Sequence, residues 1–122
     1  MKIRKDLNKL AKENDAFRKV LETGSHAQIV LMSLRKGESI GAEVHSGTDQ
    51  IFYVVEGKAE VVMSGTPDMV EKNEAVFVPA GVRHDVRNAG VEPLKLFTIY
   101  APPMHAKTLV QKTREEAMAA HH

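Results

Sequence analysis

The chain has 122 residues, of which 43% are hydrophobic and 27% are charged, as expected of one soluble globular domain. Its 17 basic and 16 acidic residues nearly balance, so no overall field favours nucleic acid or a membrane surface as a partner. The complete lack of cysteine excludes disulfides, thiolate zinc sites and cysteine nucleophiles.

The N-terminal residues predict a short helix. Asp6 can cap a helix that places Leu7, Leu10 and Ala11 on one face, within a helical extension over residues 1–16. The excess of basic residues in this segment is typical of a solvated helix face. There is no apolar leader and no apolar run of membrane-spanning length, so we expect a cytoplasmic protein without a membrane or nucleic-acid partner.

The middle of the chain predicts strands. Short runs rich in Val, Ile, Phe and Tyr recur at roughly ten-residue spacing, separated by Gly, Pro, Asn and Asp. This pattern favours an all-β fold, an antiparallel sandwich or barrel that could enclose one small ligand. Tight turns are expected at Gly57, at Ser64-Gly65 and at Pro79 to Gly81. The runs are AQIVLMSL, IFYVVEG, AEVVMSG, AVFVPAG and LKLFTIYAP.

The C-terminal tail, residues 106–122, predicts a second short helix. Thr113 and Glu116 form a capping box before a helix that runs through Ala119. His121 and His122 are interpreted as a mobile tail or tag remnant.

The early stretch FRKVL alternates in polarity and would be an exposed edge strand in a monomer. We therefore expect a homodimer.

Four polar side chains could converge inside such a barrel. Glu43 and His45 are two residues apart and point to one face of an extended chain. Gln50 begins the next strand, and a hairpin would bring it beside His45. His84 follows a Pro/Gly turn at the start of another strand.

Two imidazoles and one carboxylate are a common facial triad for divalent metals, with positions left for water or substrate. Gln50 would be a weak oxygen donor or would only support the ligands. The alternative is that each histidine is only hydrogen-bonded, because a single histidine on a strand is more often hydrogen-bonded than bound to a metal.

The first cupin motif has a fixed spacing that is intact in this chain. The motif is Gly, five residues, His-x-His, four residues, Glu, six residues, Gly. The corresponding positions hold Gly37, Glu43, His45, Gln50 and Gly57.

The second motif is also present. Its pattern is Gly, five residues, Pro-x-Gly, two residues, His, three residues, Asn. Asn73 stands at the first glycine position, and the other positions hold Pro79, Gly81, His84 and Asn88. The chain thus resembles a small single-domain cupin over motif one, residues 37–57, and motif two, residues 73–88. The resemblance implies a double-stranded β-helix, or RmlC-like jelly-roll barrel, over residues 1–122, with short helices at both ends.

A closer resemblance concerns a bacterial subgroup of short cupins, loosely named mannose-6-phosphate-isomerase-like. The stretches LMSLRKGESIGAEVH, TDQIFYVVEG and LKLFTIYAPP carry it. The resemblance implies that Glu43, His45, Gln50 and His84 bind one divalent ion, which could be Mn, Fe, Ni or Zn. Because an amide replaces a carboxylate and a carboxylate replaces an imidazole, we expect lower affinity and a shift toward Mn or Fe.

Other residues are candidates for a substrate pocket. Tyr53 and Tyr100 could donate a hydrogen bond to a ligand, although core packing is an alternative for each. His105 could cover the barrel entrance or could be an ordinary loop residue, and Phe52 could line the same pocket. The remaining large strand residues are predicted as core or barrel wall, namely Met32, Met63, Met69, Phe77 and Phe97.

Three functions remain open at this point. The first is a metal-dependent cupin that acts on a small molecule, by oxygenase, isomerase or lyase chemistry. The second is a metal-free epimerase or isomerase in which Glu43 or His84 is a general base and a tyrosine is the acid. The third is a small-ligand-binding module without turnover. Whether the protein is an enzyme is not resolved by its residues.

Overall fold

The computed structural model describes residues 4–120 as nine β-strands with one helix at each end. Helix α1 is Leu7–Glu13 and helix α2 is Arg114–Ala120. None of the helices in the described range is long and apolar enough to cross a membrane. The strands are β1 Arg18–Thr23, β2 Gln28–Leu34, β3 Asp49–Glu56, β4 Ala59–Met63, β5 Thr66–Val70, β6 Ala75–Val78, β7 His84–Asn88, β8 Leu94–Ala101 and β9 Val110–Gln111.

The strands form two antiparallel sheets. The larger sheet has six strands in the order β6-β3-β8-β2-β1-β9, and the smaller has three in the order β5-β4-β7. Side chains alternate between the core and the outside, as β3 shows with buried Gln50, Phe52 and Val54 between half-exposed Ile51 and Tyr53. The predicted all-β jelly roll is confirmed. Large apolar side chains that are almost completely buried include Phe17, Met32, Leu34, Phe52, Leu94 and Leu96.

The N-terminal helix covers one part of the outer face of the larger sheet. The Asp6 carboxylate accepts a hydrogen bond from the Lys9 amide at 3.1 Å, which caps α1 as predicted. Ala11 is fully buried against Leu31 and Val55. The helix is therefore held by its apolar face and not by its length, because an isolated seven-residue helix is unstable in water.

The C-terminal segment corrects one prediction. Strand β9 pairs with β1, so that Arg18 lies opposite Gln111 and Lys19 opposite Val110. The start of β1 is thus an inner strand and not the exposed edge that was expected. The predicted cap of α2 is present, since the Glu116 amide donates to the Thr113 hydroxyl at 3.1 Å. His121 and His122 lie outside the described residues.

Two motif positions are fixed by backbone conformation. Gly57 has φ +93°, and a Cβ placed there would lie 3.2 Å from the carbonyl oxygen of Pro93. Asn73, which stands where the second motif has glycine, has φ +69°. Asparagine is among the residues that best tolerate this left-handed conformation, so the departure from the motif preserves the turn.

Two predicted core residues are exposed instead. Phe77 is 55% exposed on β6 and Met69 is 49% exposed on β5, because both strands are sheet edges and both side chains point outward. Phe77 lies opposite Ile51 in the larger sheet. Ile51 in turn lies opposite Ile99, and Ile99 opposite Ile29. We call these four residues the apolar band.

Candidate metal centre

The two motif segments meet through backbone pairing. Glu43 and His84 form an isolated antiparallel bridge, in which the Glu43 amide donates to the His84 carbonyl at 2.8 Å and the His84 amide donates back at 2.9 Å. The Gly81 amide donates to the His45 carbonyl at 2.8 Å. The first motif is therefore held against β7 and the turn that precedes it.

This pairing corrects the predicted hairpin. The segment 41–46 forms one bridge and no regular strand, and Gly41 has φ +85°, which interrupts an extended run. Gln50 lies opposite Tyr100 and Val78 in the larger sheet, and not beside His45. The first-motif segment is thus bridged to β7 of the smaller sheet, whereas Gln50 belongs to the larger sheet.

Three ligand-type side chains converge as predicted. One ligand atom each of Glu43, His45 and His84 can be chosen so that all three lie within 4.8 Å of one another. The Nε2 atom of His45 is 2.8 Å from Oε2 of Glu43, and the ring centroids of His45 and His84 are 5.3 Å apart. The two-residue spacing of Glu43 and His45 does place both on one face.

The orientation of His84 is set by its backbone surroundings. Its Nδ1 atom lies 3.0 Å from the carbonyl oxygen of Val82. Because a carbonyl can only accept, Nδ1 of the neutral ring carries the proton and Nε2 keeps its lone pair. His84 is 2% exposed, and Nε2 has no hydrogen-bond partner within residues 4–120.

Gln50 is oriented in a comparable way. Its side-chain NH2 group donates to the Thr98 hydroxyl at 3.0 Å, across the register of β3 and β8. Its Oε1 atom is buried and has no hydrogen-bond partner in the described part of the chain. The amide therefore turns its acceptor away from Thr98 and offers an oxygen to the interior.

The acceptor atoms of this site are unsatisfied as a group. Nε2 of His45, Nε2 of His84 and Oε1 of Gln50 are all buried without a hydrogen-bond partner among the described residues. Nε2 of His45 has only its 2.8 Å contact with Oε2 of Glu43, which lowers the pKa of that carboxylate. One such atom costs roughly 1–3 kcal/mol, so several buried acceptors in one barrel interior are unusual unless a ligand satisfies them. Nitrogen and oxygen donors of this kind fit a divalent first-row metal.

The carboxylate of Glu43 is held in its charged form. Burial alone would raise the pKa of Glu43, but its contact with His45 and the charges of His45, Arg18 and His84 outweigh burial and lower that pKa. An ionised carboxylate is the form that binds a metal or accepts a proton.

Three of the four predicted pocket residues border the site. The ring of Phe52 lies 5.9 Å from that of His84, and the ring of Tyr100 lies 6.1 Å from that of His45. His105 packs edge-on against Tyr100 at 5.1 Å. Burial raises the pKa of Tyr100 to about 12 and lowers the pKa of His105 to about 4, so both rings are neutral at pH 7.

Tyr53 does not belong to this pocket, and the prediction for it is wrong. It stacks on Phe97 with ring centroids 4.9 Å apart, on the outer face of the larger sheet. Its hydroxyl donates to the Asn73 side chain at 3.3 Å. Tyr53 is one residue out of phase with the inward positions Gln50 and Phe52, so its side chain points away from the interior.

One residue of the site was missed. Arg18, on β1, is 7% exposed, and its guanidinium lies 4.0 Å from the Glu43 carboxylate. The sequence contained a signal for this position, because Arg18 is two residues from the apolar Val20, which is buried in the core at 8% exposure. A charged residue in phase with a core valine points into the barrel.

Comparison with known proteins identifies relatives with this architecture. The family model described as the cupin domain matches residues 30–100. YrkC, an uncharacterized protein of Bacillus subtilis (strain 168), is 42% identical over 121 residues, which cover 94% of this chain and 65% of YrkC. The crystal structure of BH2720 from Bacillus halodurans superposes with a TM-score of 0.96 at 41% identity, over 98% of this chain and 96% of that one.

A part of a longer protein is also similar. The mannose-1-phosphate guanylyltransferase RfbM of Salmonella typhimurium is 29% identical over 101 residues, which cover 79% of this chain and 21% of RfbM. The chain thus spans about two thirds of the length of YrkC and about a fifth of that of RfbM.

Proposed function

The chain belongs to the cupin domain family, and on that premise we propose that it is a metal-binding cupin that holds a small molecule in its barrel interior. Glu43, His45 and His84 are the proposed ligands of one divalent ion, and Gln50 supplies a fourth, neutral oxygen. The observation that carries this proposal is the group of buried acceptor atoms without hydrogen-bond partners in the described chain.

The donor set limits the metal. Two imidazole nitrogens, one carboxylate and one amide oxygen suit Mn, Fe, Ni or Zn. A single carboxylate neutralises only half of the charge of a dication, so the bound ion would act as a Lewis acid toward an oxygen of a small molecule. A reaction would be of the oxygenase, isomerase or lyase type.

The protein residues have separate roles in this proposal. The Val82 carbonyl fixes the tautomer of His84, and the Thr98 hydroxyl fixes the amide of Gln50. Phe52 and Tyr100 form walls that keep water from the ligands. These contacts hold the donor atoms in place before a ligand arrives, which reduces the free-energy cost of ordering them.

A metal-free function is the second candidate. Glu43 is held ionised and could act as a general base. Of the two tyrosines in the chain, Tyr100 is the one that borders the site, and its hydroxyl could act as the acid. His84, with a free Nε2, could take the role of base in its place. Binding or turnover that survives exhaustive chelation but is lost in Glu43→Gln would favour this candidate. Retention of a ligand without turnover would favour a binding module.

The experiment that tests the first proposal measures bound metal. Protein purified from rich medium is analysed for its elements, and stripped protein is titrated with Mn, Fe, Ni and Zn. We expect about one ion per chain, lost in Glu43→Gln and kept in Glu60→Gln, which changes a carboxylate paired with Arg87 on the surface. All samples lack residues 121–122, because two terminal imidazoles can bind nickel or zinc themselves. A wild-type chain that binds no ion at micromolar concentration would refute the proposal.

We further propose a homodimer, on new grounds. The exposed edge that first suggested it is covered by β9, at least at Arg18 and Lys19. The apolar band instead offers four adjacent side chains on four neighbouring strands, with Phe77 55% exposed. A second copy would bury these four uncharged side chains, and Glu22, which lies opposite Ile29 at one end of the band, is paired with Lys5.

A further inference from the structure

Arg18 is a buried cation whose nearest carboxylate, that of Glu43, lies beyond hydrogen-bond distance. Its side chain is 8% exposed. Its Nη1 group donates to Oε1 of Gln111 at 2.8 Å, and its Nε group is buried without a hydrogen-bond partner in the described structure. The nearest carboxylate oxygen, on Glu43, is 4.0 Å from Nη2, which is longer than a hydrogen bond. A guanidinium cannot lose its proton, so its charge remains in the interior.

The guanidinium lies between the proposed metal ligands and an open space. It lies 4.0 Å from the Glu43 carboxylate and lines a cavity with His105, whose ring packs against Tyr100, so all four residues are at the same end of the barrel. A cavity of about 260 Å³ opens beside it, lined in part by Met104, His105 and Gln111. This volume suits a small molecule that touches the guanidinium at one end.

The balance of charge favours an anion at this point. Glu43 is the only carboxylate recorded within 4.0 Å of the Arg18 guanidinium in the described chain. If Glu43 binds a dication, its negative charge is offset by the metal. With neutral imidazoles, the charges of the metal, the carboxylate and the guanidinium then add up to about +2. Desolvated positive charge of this size is stabilised by a ligand with negative charge.

We propose that Arg18, supported by Gln111, binds the carboxylate of a small organic acid whose other oxygen reaches the Glu43, His45 and His84 site. A guanidinium presents a planar pair of donors that matches a carboxylate in two hydrogen bonds. The inference rests on the proposed function for the metal end of the ligand, but the Arg18 end can be tested without metal. The substrate class is then a carboxylic acid with a neighbouring oxygen, such as a 2-oxo acid.

The test compares pyruvate with pyruvamide, which has the same shape without the charge, in metal-free and manganese-loaded protein. Binding is followed by calorimetry or by nuclear magnetic resonance. We expect pyruvate to bind the wild-type chain at least about tenfold more tightly than pyruvamide, which corresponds to about 1.4 kcal/mol. Inorganic phosphate is a third probe, and tighter binding of phosphate than of pyruvate would overturn the assignment to a carboxylate.

Two variants isolate the residue. Arg18→Gln should weaken pyruvate binding at least about tenfold while manganese stoichiometry stays unchanged. Gln111→Glu keeps Arg18 but puts a carboxylate in the place of the amide that Arg18 contacts at 2.8 Å. This carboxylate should pair with the guanidinium in competition with pyruvate and weaken pyruvate binding by a similar factor. The control is Lys19→Gln, which removes the exposed neighbouring cation on the same strand.

The results separate the two proposals. A wild-type chain that binds pyruvate through Arg18 but binds none of Mn, Fe, Ni and Zn refutes the metal proposal and leaves the Arg18 inference standing. Unchanged pyruvate affinity in Gln111→Glu, or in a folded Arg18→Gln, overturns the inference whatever the metal result. Thermal unfolding identifies the folded variants, and Gln111→Glu gives the decisive comparison if Arg18→Gln does not fold.

Discussion

The Nδ1 atom of His84 donates to the carbonyl oxygen of Val82 at 3.0 Å, and this contact leaves Nε2 as a buried acceptor. The carbonyl belongs to the turn just before β7, so the backbone of that turn decides which ring nitrogen is available. The same backbone also pairs with Glu43, which brings the carboxylate to the imidazole. One short segment thus orients two of the proposed ligands.

Replacing His84 should abolish tight metal binding. Loss of a group that only supports a ligand costs about 10–100-fold in affinity, and we expect His84→Ala to cost at least this much because the ligand itself is removed. The measurement is metal titration with elemental analysis of the purified variant. His26→Ala is the matched control, since His26 is exposed and distant in sequence from both motifs. Equal metal content in His84→Ala and His26→Ala would contradict the assignment.

Replacing Gln50 by glutamate should strengthen metal binding. A second carboxylate would add negative charge at an oxygen that is already oriented by Thr98. We expect affinity for Mn to rise about tenfold. Without metal, the same variant places two carboxylates near each other, so its melting temperature should fall below that of the wild type.

Gln50→Leu completes this series, because it removes the oxygen and keeps similar volume. It should bind metal more weakly than the wild type. A Gln50→Glu variant whose metal affinity equals that of Gln50→Leu would show that this position does not contact the ion.

The stability of the metal-free protein should depend on His105 in mildly acidic solution. Burial lowers the pKa of His105 from 6.5 to about 4, and the charges of Arg18 and His45 add to this effect while Glu43 opposes it. Between these two pKa values the unfolded chain binds more protons than the folded one. The free energy of unfolding should therefore fall as the pH decreases from about 6.5 toward 4.

The variant His105→Gln should flatten this dependence, as measured by urea unfolding with a chelator present. Its absolute stability will also fall, because the ring contact with Tyr100 is lost, so the slope against pH is the relevant quantity. His26→Gln, on the surface, should keep the wild-type slope. Identical slopes for the wild type and His105→Gln would show that His105 titrates normally in the folded chain.

A charge in the apolar band should dissociate the proposed dimer. Phe77→Lys places a cation beside Ile51 at one end of the apolar band, and sedimentation should then give one species near the 13.5 kDa mass of a single chain. Monomer stability should change by less than about 0.5 kcal/mol, because Phe77 is 55% exposed. Met69→Lys, on the smaller sheet, should leave the wild-type assembly unchanged. A wild-type chain that sediments as a monomer would refute the dimer.

Much of the site follows from the periodicity of two in an extended chain. That rule places Glu43 with His45, and it separates His84 from the outward Arg87, which pairs with Glu60 on the surface. The same rule would have found Arg18 through its neighbour Val20. It also distinguishes Tyr100, in phase with Thr98, from Tyr53, in phase with the outward Ile51.

Strand pairing was harder to predict. The sequence suggests that AEVHS forms a hairpin with the strand that begins near Gln50, because a short turn-like stretch separates them. In the structure the earlier segment pairs with β7 and Gln50 pairs with β6 and β8. Such pairings depend on contacts far apart in the chain, and local propensity does not determine them. The exposed Phe77 has the same origin, since a strand at a sheet edge cannot be recognised from its own composition.

The most direct test is an anomalous diffraction measurement on crystals of protein purified without chelator and soaked in manganese, with data collected on both sides of the absorption edge of each candidate metal. We predict one anomalous peak bounded by Glu43, His45, Gln50 and His84, which appears at the edge of Mn, Fe, Ni or Zn. Ordered side chains at these four positions with no peak between them would contradict the metal-binding function.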